Sequence, residues 1–133
     1  MSAPAIAIID DDMLVRESVQ RLVRSMGYET ELFSSPEEFL ATSVPDIGCV
    51  ISDVIMADGR HTGLQQGLAL AGRDIPIIFM TARPSPSVVA TLMRAGAIDV
   101  LAKPFHQKQI ASCIESALKM VESTTTSAEF RAE

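Results

Sequence analysis

The sequence has no tryptophan, and aromatic residues make up only 5% of its 133 residues. Hydrophobic residues nevertheless amount to 47% of the chain, so the core has to be built from Ile, Val, Leu, Ala and Met side chains. This composition is typical of a globular protein and argues against an intrinsically disordered chain. The length suits one domain and is too short for a catalytic domain with a separate effector.

Cysteine, basic residues and long apolar runs are scarce as well. Cys49 and Cys113 are the only cysteines, and their apolar surroundings favour buried free thiols over a disulfide, as suits a reducing cytoplasm. Lys and Arg number 11 against 17 acidic residues, and the net charge of -6 argues against direct nucleic-acid binding by this chain. No run approaches the about 20 apolar residues of a membrane span, and the N-terminus lacks the basic start of a signal peptide. We therefore expect a cytoplasmic protein without a membrane segment.

Short apolar runs alternate along the chain with segments of helical period. This alternation predicts βα units around a parallel sheet that helices cover on both faces, which is a doubly wound α/β fold. The five strands are predicted at residues 5–9, 28–33, 48–52, 75–80 and 97–102. Two helices are expected to start with Ser as N-cap and Pro as first helical residue, at Ser35-Pro36 and Ser85-Pro86. The domain is expected to cover residues 4–121, followed by a polar, disordered tail at 122–133.

Polar and charged residues follow four of the five predicted strands. They are Asp10 and Asp11 after strand one, Asp53 after strand three, Thr81 after strand four and Lys103 after strand five. Because the carboxyl ends of parallel strands share one edge of the sheet, where ligands bind, we expect these side chains to lie close together. Neighbouring carboxylates repel each other unless a cation or water screens them, and hard oxygen ligands of this kind suit Mg²⁺.

The same set of residues has a coherent chemistry. A metal ion, a lysine and a hydroxyl group can neutralise and orient a phosphoryl group. An aspartate can act as the nucleophile and form an acyl phosphate. Each residue taken alone would be an ordinary strand-end side chain, but their joint occurrence at successive strand ends predicts phosphoryl transfer to a carboxylate.

Five sequence features in a consistent order resemble the receiver domains of two-component response regulators, over about residues 4–121. These features are Ile8-Ile9-Asp10-Asp11, Ile51-Ser52-Asp53-Val54-Ile55-Met56, Phe79-Met80-Thr81-Ala82, Arg94-Ala95-Gly96-Ala97 and Leu101-Ala102-Lys103-Pro104-Phe105. The pattern is most similar to receivers of the nitrogen-fixation and nitrate-response type. The resemblance implies a flavodoxin-like (βα)5 sandwich with a five-stranded parallel sheet of order 2-1-3-4-5.

The resemblance also implies a role for each strand-end residue. Asp53 would be the phospho-acceptor, and Mg²⁺ (or Mn²⁺) would be bound by Asp11, Asp53 and the backbone carbonyl of Ile55, with Asp10 acting largely through water. The phosphoryl group would be contacted by Lys103, by the Ala82 backbone N–H and, on activation, by the Thr81 hydroxyl. The Lys103-Pro104 bond is expected to be cis, an isomer that X-Pro bonds adopt at modest cost.

The resemblance implies a signalling protein rather than an enzyme with a metabolic product. Its phospho-donor would be a histidine of a sensor histidine kinase or of a histidine phosphotransfer protein, as part of a phosphorelay. Phosphorylation and dephosphorylation of the acceptor would be self-catalysed. The output would pass through a conformational change to a partner protein or to an effector domain outside this chain, and a homodimer through the face of helix 4, strand 5 and helix 5 is left open.

Three positions depart from the receiver pattern. Ala57 and His61 stand where the family has Pro and Gly, so we predict a reshaped loop over 56–64, with Gly59 and Gly63 at the positive-φ positions. Val100 replaces the aromatic residue whose inward rotation reports phosphorylation, so the output face has to use another signal. Pro84 and Pro86 are also expected to restrict the loop after Thr81.

Two alternatives remain. A receiver-like module could bind partners independently of phosphorylation, which the altered position Val100 would favour. A phosphatase of the haloacid-dehalogenase type could use Asp10 and Asp12, which have the Asp-x-Asp spacing of that family's nucleophile motif. That family's later acidic pair is missing here, and Asp12 is better explained as the N-cap of the first helix.

Overall fold

A computed structural model of the chain describes residues 4–42, 46–54 and 63–132, with side chains described up to residue 120. The strands among these residues are β1 (Ala5–Ile9), β2 (Thr30–Phe33), β3 (Ile47–Asp53), β4 (Ile77–Thr81) and β5 (Asp99–Ala102). The helices in the same described ranges are α1 (Met13–Ser25), α2 (Pro36–Ala41), α3 (Leu64–Leu70), α4 (Pro86–Arg94) and α5 (Gln107–Ala132). Strands and helices alternate throughout, which confirms the predicted βα units.

The five strands form one parallel sheet in the order β2-β1-β3-β4-β5, as predicted. The register pairs Ile9 with Ser52, and it pairs Thr81 with Ala102. Strands β1, β3, β4 and β5 therefore end at nearly the same level. This alignment brings the residues that follow them to one edge of the sheet.

The apolar side chains form two layers, one on each face of the sheet. The first lies under α1 and α5 and contains residues such as Ile8, Ile51 and Ile114. The second lies under α2, α3 and α4 and contains residues such as Ile9 and Phe79. Because the central strands β1, β3 and β4 are covered on both faces, they are buried along nearly their whole length rather than at alternate residues.

The two cysteines lie in the first of these layers. Both are free and buried, as the sequence predicted. Burial raises the pKa of Cys49 to about 12, and burial together with the neighbouring carboxylate of Asp99 raises the pKa of Cys113 to about 11. Neither thiol therefore ionises at neutral pH, which fits an inert structural role.

Side-chain caps set the starts of two helices. Asp12 accepts hydrogen bonds from the backbone N–H groups of Leu14 (2.9 Å) and Val15 (3.4 Å) at the start of α1, which confirms its predicted capping role. Ser35 accepts one from the Glu38 N–H (3.1 Å) at the start of α2. Ser85 is the N-cap of α4, but its hydroxyl pairs with Ser87 Oγ (3.0 Å) instead of capping the helix.

Element ends differ from the predicted ones in several places. Strands β2, β4 and β5 begin two residues later than predicted, and Pro76, which has no N–H to donate, directly precedes β4. The backbone of α5 is helical through Ala132, whereas the sequence predicted a disordered tail from residue 122. No Gly or Pro interrupts residues 122–132, so nothing in that stretch stops the helix. The domain boundaries remain a prediction.

The loop that follows β3 lies largely outside the described residues. Ile55, Ala57, Gly59 and His61 belong to this part of the chain, so the predicted reshaping of the loop remains a prediction. At its described end, Gly63 has a φ of 62°, the left-handed conformation predicted for it. None of the helices in the described part of the chain combines the length and the apolar composition of a membrane span.

Candidate functional site at the carboxyl edge of the sheet

Lys103 joins two of the predicted site residues. Its Nζ donates to Asp53 Oδ2 at 2.9 Å and to Asp10 Oδ2 at 3.3 Å. Asp10 follows β1, Asp53 ends β3 and Lys103 follows β5, so the contact spans the sheet from β1 to β5. The ammonium group thereby offsets the repulsion between two carboxylates that the fold places side by side.

Asp10 is the most enclosed of these residues, with 1% of its side chain exposed. Burial raises the pKa of Asp10, and the negative charge of Asp53 raises it further. The Asp12 backbone N–H, which donates to Asp10 Oδ1 at 2.9 Å, and the ammonium of Lys103 act in the opposite direction without cancelling the effect of burial. The ionised form of the Asp10 carboxyl group is therefore less favourable in this position than in water.

Lys103 keeps its charge in this setting. Burial lowers the pKa of Lys103, but the hydrogen bond and charge of Asp53 and those of Asp10 outweigh burial, and the net shift is upward. Its side chain is 22% exposed, so the residue is partly open to solvent. A fixed positive charge at this point can receive an anionic group from solution.

Thr81, at the end of β4, is buried. Its Oγ1 accepts a hydrogen bond from the backbone N–H of Arg83 at 3.2 Å, and its carbonyl accepts one from the backbone N–H of Lys103 at 2.8 Å. The second bond fixes the position of Lys103 relative to β4. Ala82, whose N–H was predicted to contact a phosphoryl group, is exposed on the loop between Thr81 and Arg83.

The carboxylates are compatible with Mg²⁺. This ion is held by one or two carboxylates and keeps several waters, and Asp10 and Asp53 supply hard oxygen donors on either side of one ammonium group. Asp11 is exposed beside them. Among the residues that the structure describes, no three His, Cys, Asp or Glu side chains stand together as a ready-made metal cluster. The carbonyl of Ile55, the further predicted ligand, lies outside the described residues.

The Lys103-Pro104 peptide bond is cis, the isomer implied by the resemblance. Val100, at the altered switch position, is half-buried on the edge strand β5. It pairs in register with the buried Phe79 of β4, and both pack in the layer under α4. An aromatic side chain, that of Phe79, therefore lies on β4, next to the position on β5 where the receiver pattern has its aromatic residue.

One further residue of this edge, Arg16, was not predicted from the sequence. Arg16, in the first turns of α1, donates from Nη1 to the backbone carbonyl oxygen of Asp10 at 2.6 Å. Its position could have indicated this contact, because Arg16 is the first basic residue after the acidic run and lies one helical turn beyond the N-cap Asp12. Spacing alone does not show that a long side chain folds back onto a strand-end carbonyl.

Fold and site together define a class: flavodoxin-like α/β proteins whose strand ends carry a carboxylate and lysine cluster at the carboxyl edge of the sheet. Residues 6–115 match the response regulator receiver domain. The chain belongs to this family, and it is thus a receiver domain of two-component signalling systems, a signalling domain rather than a classical enzyme.

Relatives by sequence are response regulators and transcriptional regulators. The chain is 37% identical over 119 residues to the response regulator protein TodT of Pseudomonas putida, which covers 89% of this chain and 52% of TodT. It is 34% identical over 119 residues to the transcriptional regulatory protein FixJ of Bradyrhizobium diazoefficiens, covering 88% of this chain and 58% of FixJ. The chain therefore spans about half the length of the curated relatives it matches.

Solved structures of the same fold include two at 30% identity or above. The response regulator StyR superposes with a TM-score of 0.85 at 33% identity, covering 98% of this chain and 67% of the StyR chain. The structure of FixJ-N superposes with a TM-score of 0.78 at 30% identity, covering 90% of this chain and 96% of that one. Both agree with the predicted receiver fold.

Proposed function

We propose that Asp53 accepts a phosphoryl group from a phosphohistidine of a sensor histidine kinase or of a histidine phosphotransfer protein. The observation that carries the proposal is the 2.9 Å contact of Lys103 Nζ with Asp53 Oδ2, made while the same ammonium holds the buried Asp10. An acceptor carboxylate, a fixed cation and a second carboxylate thus meet at the edge where parallel α/β sheets bind ligands.

In the proposed reaction, an oxygen of the Asp53 carboxylate attacks phosphorus while the bond between phosphorus and the donor imidazole nitrogen breaks. The imidazole leaves with its electron pair and is protonated, and Asp53 becomes an acyl phosphate. Lys103 moves from the carboxylate oxygen toward a phosphoryl oxygen and neutralises part of its charge. The Ala82 N–H and the Thr81 hydroxyl donate to the remaining phosphoryl oxygens.

A divalent cation, Mg²⁺ or Mn²⁺, would supply further neutralisation of the transferring group. Asp53 and Asp11 would hold it directly, together with the carbonyl of Ile55, and Asp10 would hold it largely through water. Hydrolysis closes the cycle: water attacks phosphorus, the bond to the Asp53 oxygen breaks, and phosphate leaves with Asp53 restored as a carboxylate. Both steps are self-catalysed.

The output goes to a partner or to an effector segment beyond this chain. Two relatives are named transcriptional regulatory proteins, TdiR and FixJ, and this chain spans about half of each. We therefore propose that it regulates a transcription factor, in the cytoplasm, without contacting nucleic acid itself. We propose that phosphorylation is read out at the face formed by α4, β5 and α5, through which a homodimer could form. None of the residues of α4 is buried, so this helix has side chains available for such a contact.

The deciding experiment identifies the aspartate that is acylated. Labelling with acetyl phosphate and Mg²⁺, followed by mass spectrometry of the intact protein and its peptides, is expected to place the phosphoryl group on Asp53 and to fail in Asp53→Asn. Labelling that persists in Asp53→Asn but needs Asp10 would favour the phosphatase alternative, against which the capping role of Asp12 already speaks. If no Mg²⁺-dependent labelling occurs, the result would favour the alternative of a receiver-like module that binds partners independently of phosphorylation.

A further inference from the structure

We propose that Arg16 is a positioning residue that fixes the peptide between Asp10 and Asp11 and so sets the affinity of the site for a divalent cation. The inference rests on the proposed function, because it assumes that Asp11 is a metal ligand. Arg16 lies on α1, and its hydrogen bond at this edge goes to the backbone carbonyl of Asp10 and not to a carboxylate.

The peptide that follows Asp10 is anchored by Arg16. The guanidinium Nη1 donates to the Asp10 carbonyl oxygen at 2.6 Å, a short bond with a charged donor. The Asp10 backbone N–H donates to the Phe33 carbonyl at 3.2 Å, and its side chain accepts from the Asp12 N–H and from Lys103. Backbone and side chain of Asp10 are therefore held at every polar group.

The carbonyl held by Arg16 belongs to the same peptide plane as the N–H of Asp11. A peptide is rigid and planar, so fixing the carbonyl also fixes the direction in which the chain continues to Asp11. The Asp11 side chain is exposed, and the chain that carries it continues directly from this peptide. Loss of the Arg16 bond would leave a buried carbonyl short of a donor and free the peptide to rotate.

The half-buried guanidinium also brings a permanent positive charge close to the turn that starts α2. The pKa of Glu38 is lowered mainly by its hydrogen bonds from Ser34, and the charge of Arg16 adds to this effect. Arg16 thus lies between the β1–α1 loop and the N-terminus of α2. It acts from outside the carboxylate cluster, where it does not compete with a metal ion for the ligand oxygens.

The first test compares Mg²⁺ binding by calorimetry in Arg16→Gln and Arg21→Gln. Arg21 is exposed on the same helix, so its variant removes the same charge without touching Asp10. Loss of a residue that supports metal ligands typically weakens metal binding by a factor of ten or more, so we expect about a tenfold weaker affinity in Arg16→Gln. Arg21→Gln should bind like the unchanged protein, and Arg16→Lys, which can still donate to the carbonyl, should recover most of the affinity.

A second readout needs no metal. The ¹⁵N shift of an amide responds to the hydrogen bond on the preceding carbonyl, so the Asp11 amide resonance should move in Arg16→Gln and stay in Arg21→Gln. In acetyl phosphate labelling, the Mg²⁺ concentration for half-maximal rate should rise while the rate at saturating Mg²⁺ is retained.

Equal Mg²⁺ affinity and equal Asp11 amide shifts in the two glutamine variants would overturn the inference while leaving Asp53 as acceptor. If Arg16→Gln does not fold, the same amide comparison is made between Arg16→Met and Arg21→Met, which remove the donor but keep a long side chain: a shift confined to the Arg16 variant supports the inference, and no difference overturns it. A parent protein that neither binds Mg²⁺ nor is labelled at Asp53 would instead refute the proposed function.

Discussion

Lys103 and Asp10, 93 positions apart in the chain, form an ion pair of 3.3 Å in which Asp10 has only 1% of its side chain exposed. The same ammonium binds Asp53. Removing it would leave two carboxylates facing each other, one of them buried without its counter-charge. The stability of the metal-free protein should therefore depend on this lysine.

Lys103→Met is expected to lower the free energy of unfolding by about 2 kcal/mol, less than for a fully buried pair because Lys103 is partly exposed. Urea unfolding at neutral pH measures the effect. In an Asp10→Asn background the same substitution should cost clearly less, because the buried charge is gone. Lys108→Met, an exposed change on α5, is the control, and an equal loss there would contradict the prediction.

The raised pKa of Asp10 makes stability depend on pH. The folded protein binds a proton at Asp10 more tightly than the unfolded chain does. The contribution of Asp10 to the free energy of unfolding is therefore complete below its ordinary pKa of 3.8. It is lost as pH rises through the higher value of the folded state. Asp10→Asn should remove that loss and be more stable than the parent near neutral pH, as measured by thermal unfolding across the acid range. A parallel pH profile of the two proteins would count against it.

Asp12 and Asp11 are adjacent acids with different expected roles. Asp12→Ala removes the N-cap of α1 and should cost about 1 kcal/mol of stability while leaving Mg²⁺ binding and labelling of Asp53 intact. Asp11→Ala should do the reverse, with weaker Mg²⁺ binding and little change in unfolding. Calorimetry and urea unfolding on both variants separate the two roles, and loss of labelling in Asp12→Ala would revive the phosphatase alternative.

Val100 leaves β5 without the aromatic residue of the receiver pattern, and Phe79 fills the neighbouring position on β4. We expect beryllofluoride, a phosphate mimic, to shift amide resonances near Asp53 and Lys103 strongly and those of 82–102 weakly. Val100→Tyr should enlarge the response of 82–102. If the amide shifts of residues 82–102 in the parent protein are as large as in a receiver that has the aromatic residue, the expected weak response of this segment is refuted.

Local patterns in the sequence predicted much of the fold. The alternation of apolar runs and helical segments predicted all five βα units, and Ser35 and Asp12 marked helix starts through the side-chain oxygens that capping requires. Strand edges were less accurate, because the apolar run begins at Ile75 whereas β4 begins at Ile77. Pro76 has no N–H to donate, although its carbonyl accepts from the Val50 N–H at 2.9 Å. Composition likewise predicted the buried free thiols of Cys49 and Cys113.

The sequence by itself determined which residues follow each strand, and therefore which side chains are available at the carboxyl edge. Only the tertiary structure decided that Lys103 binds Asp10 and Asp53 together, that Phe79 lies beside Val100, and that Arg16 returns to the Asp10 carbonyl. The reason is physical: caps and strand runs arise from neighbours in the chain, whereas these contacts depend on strand order, register and side-chain packing between distant segments.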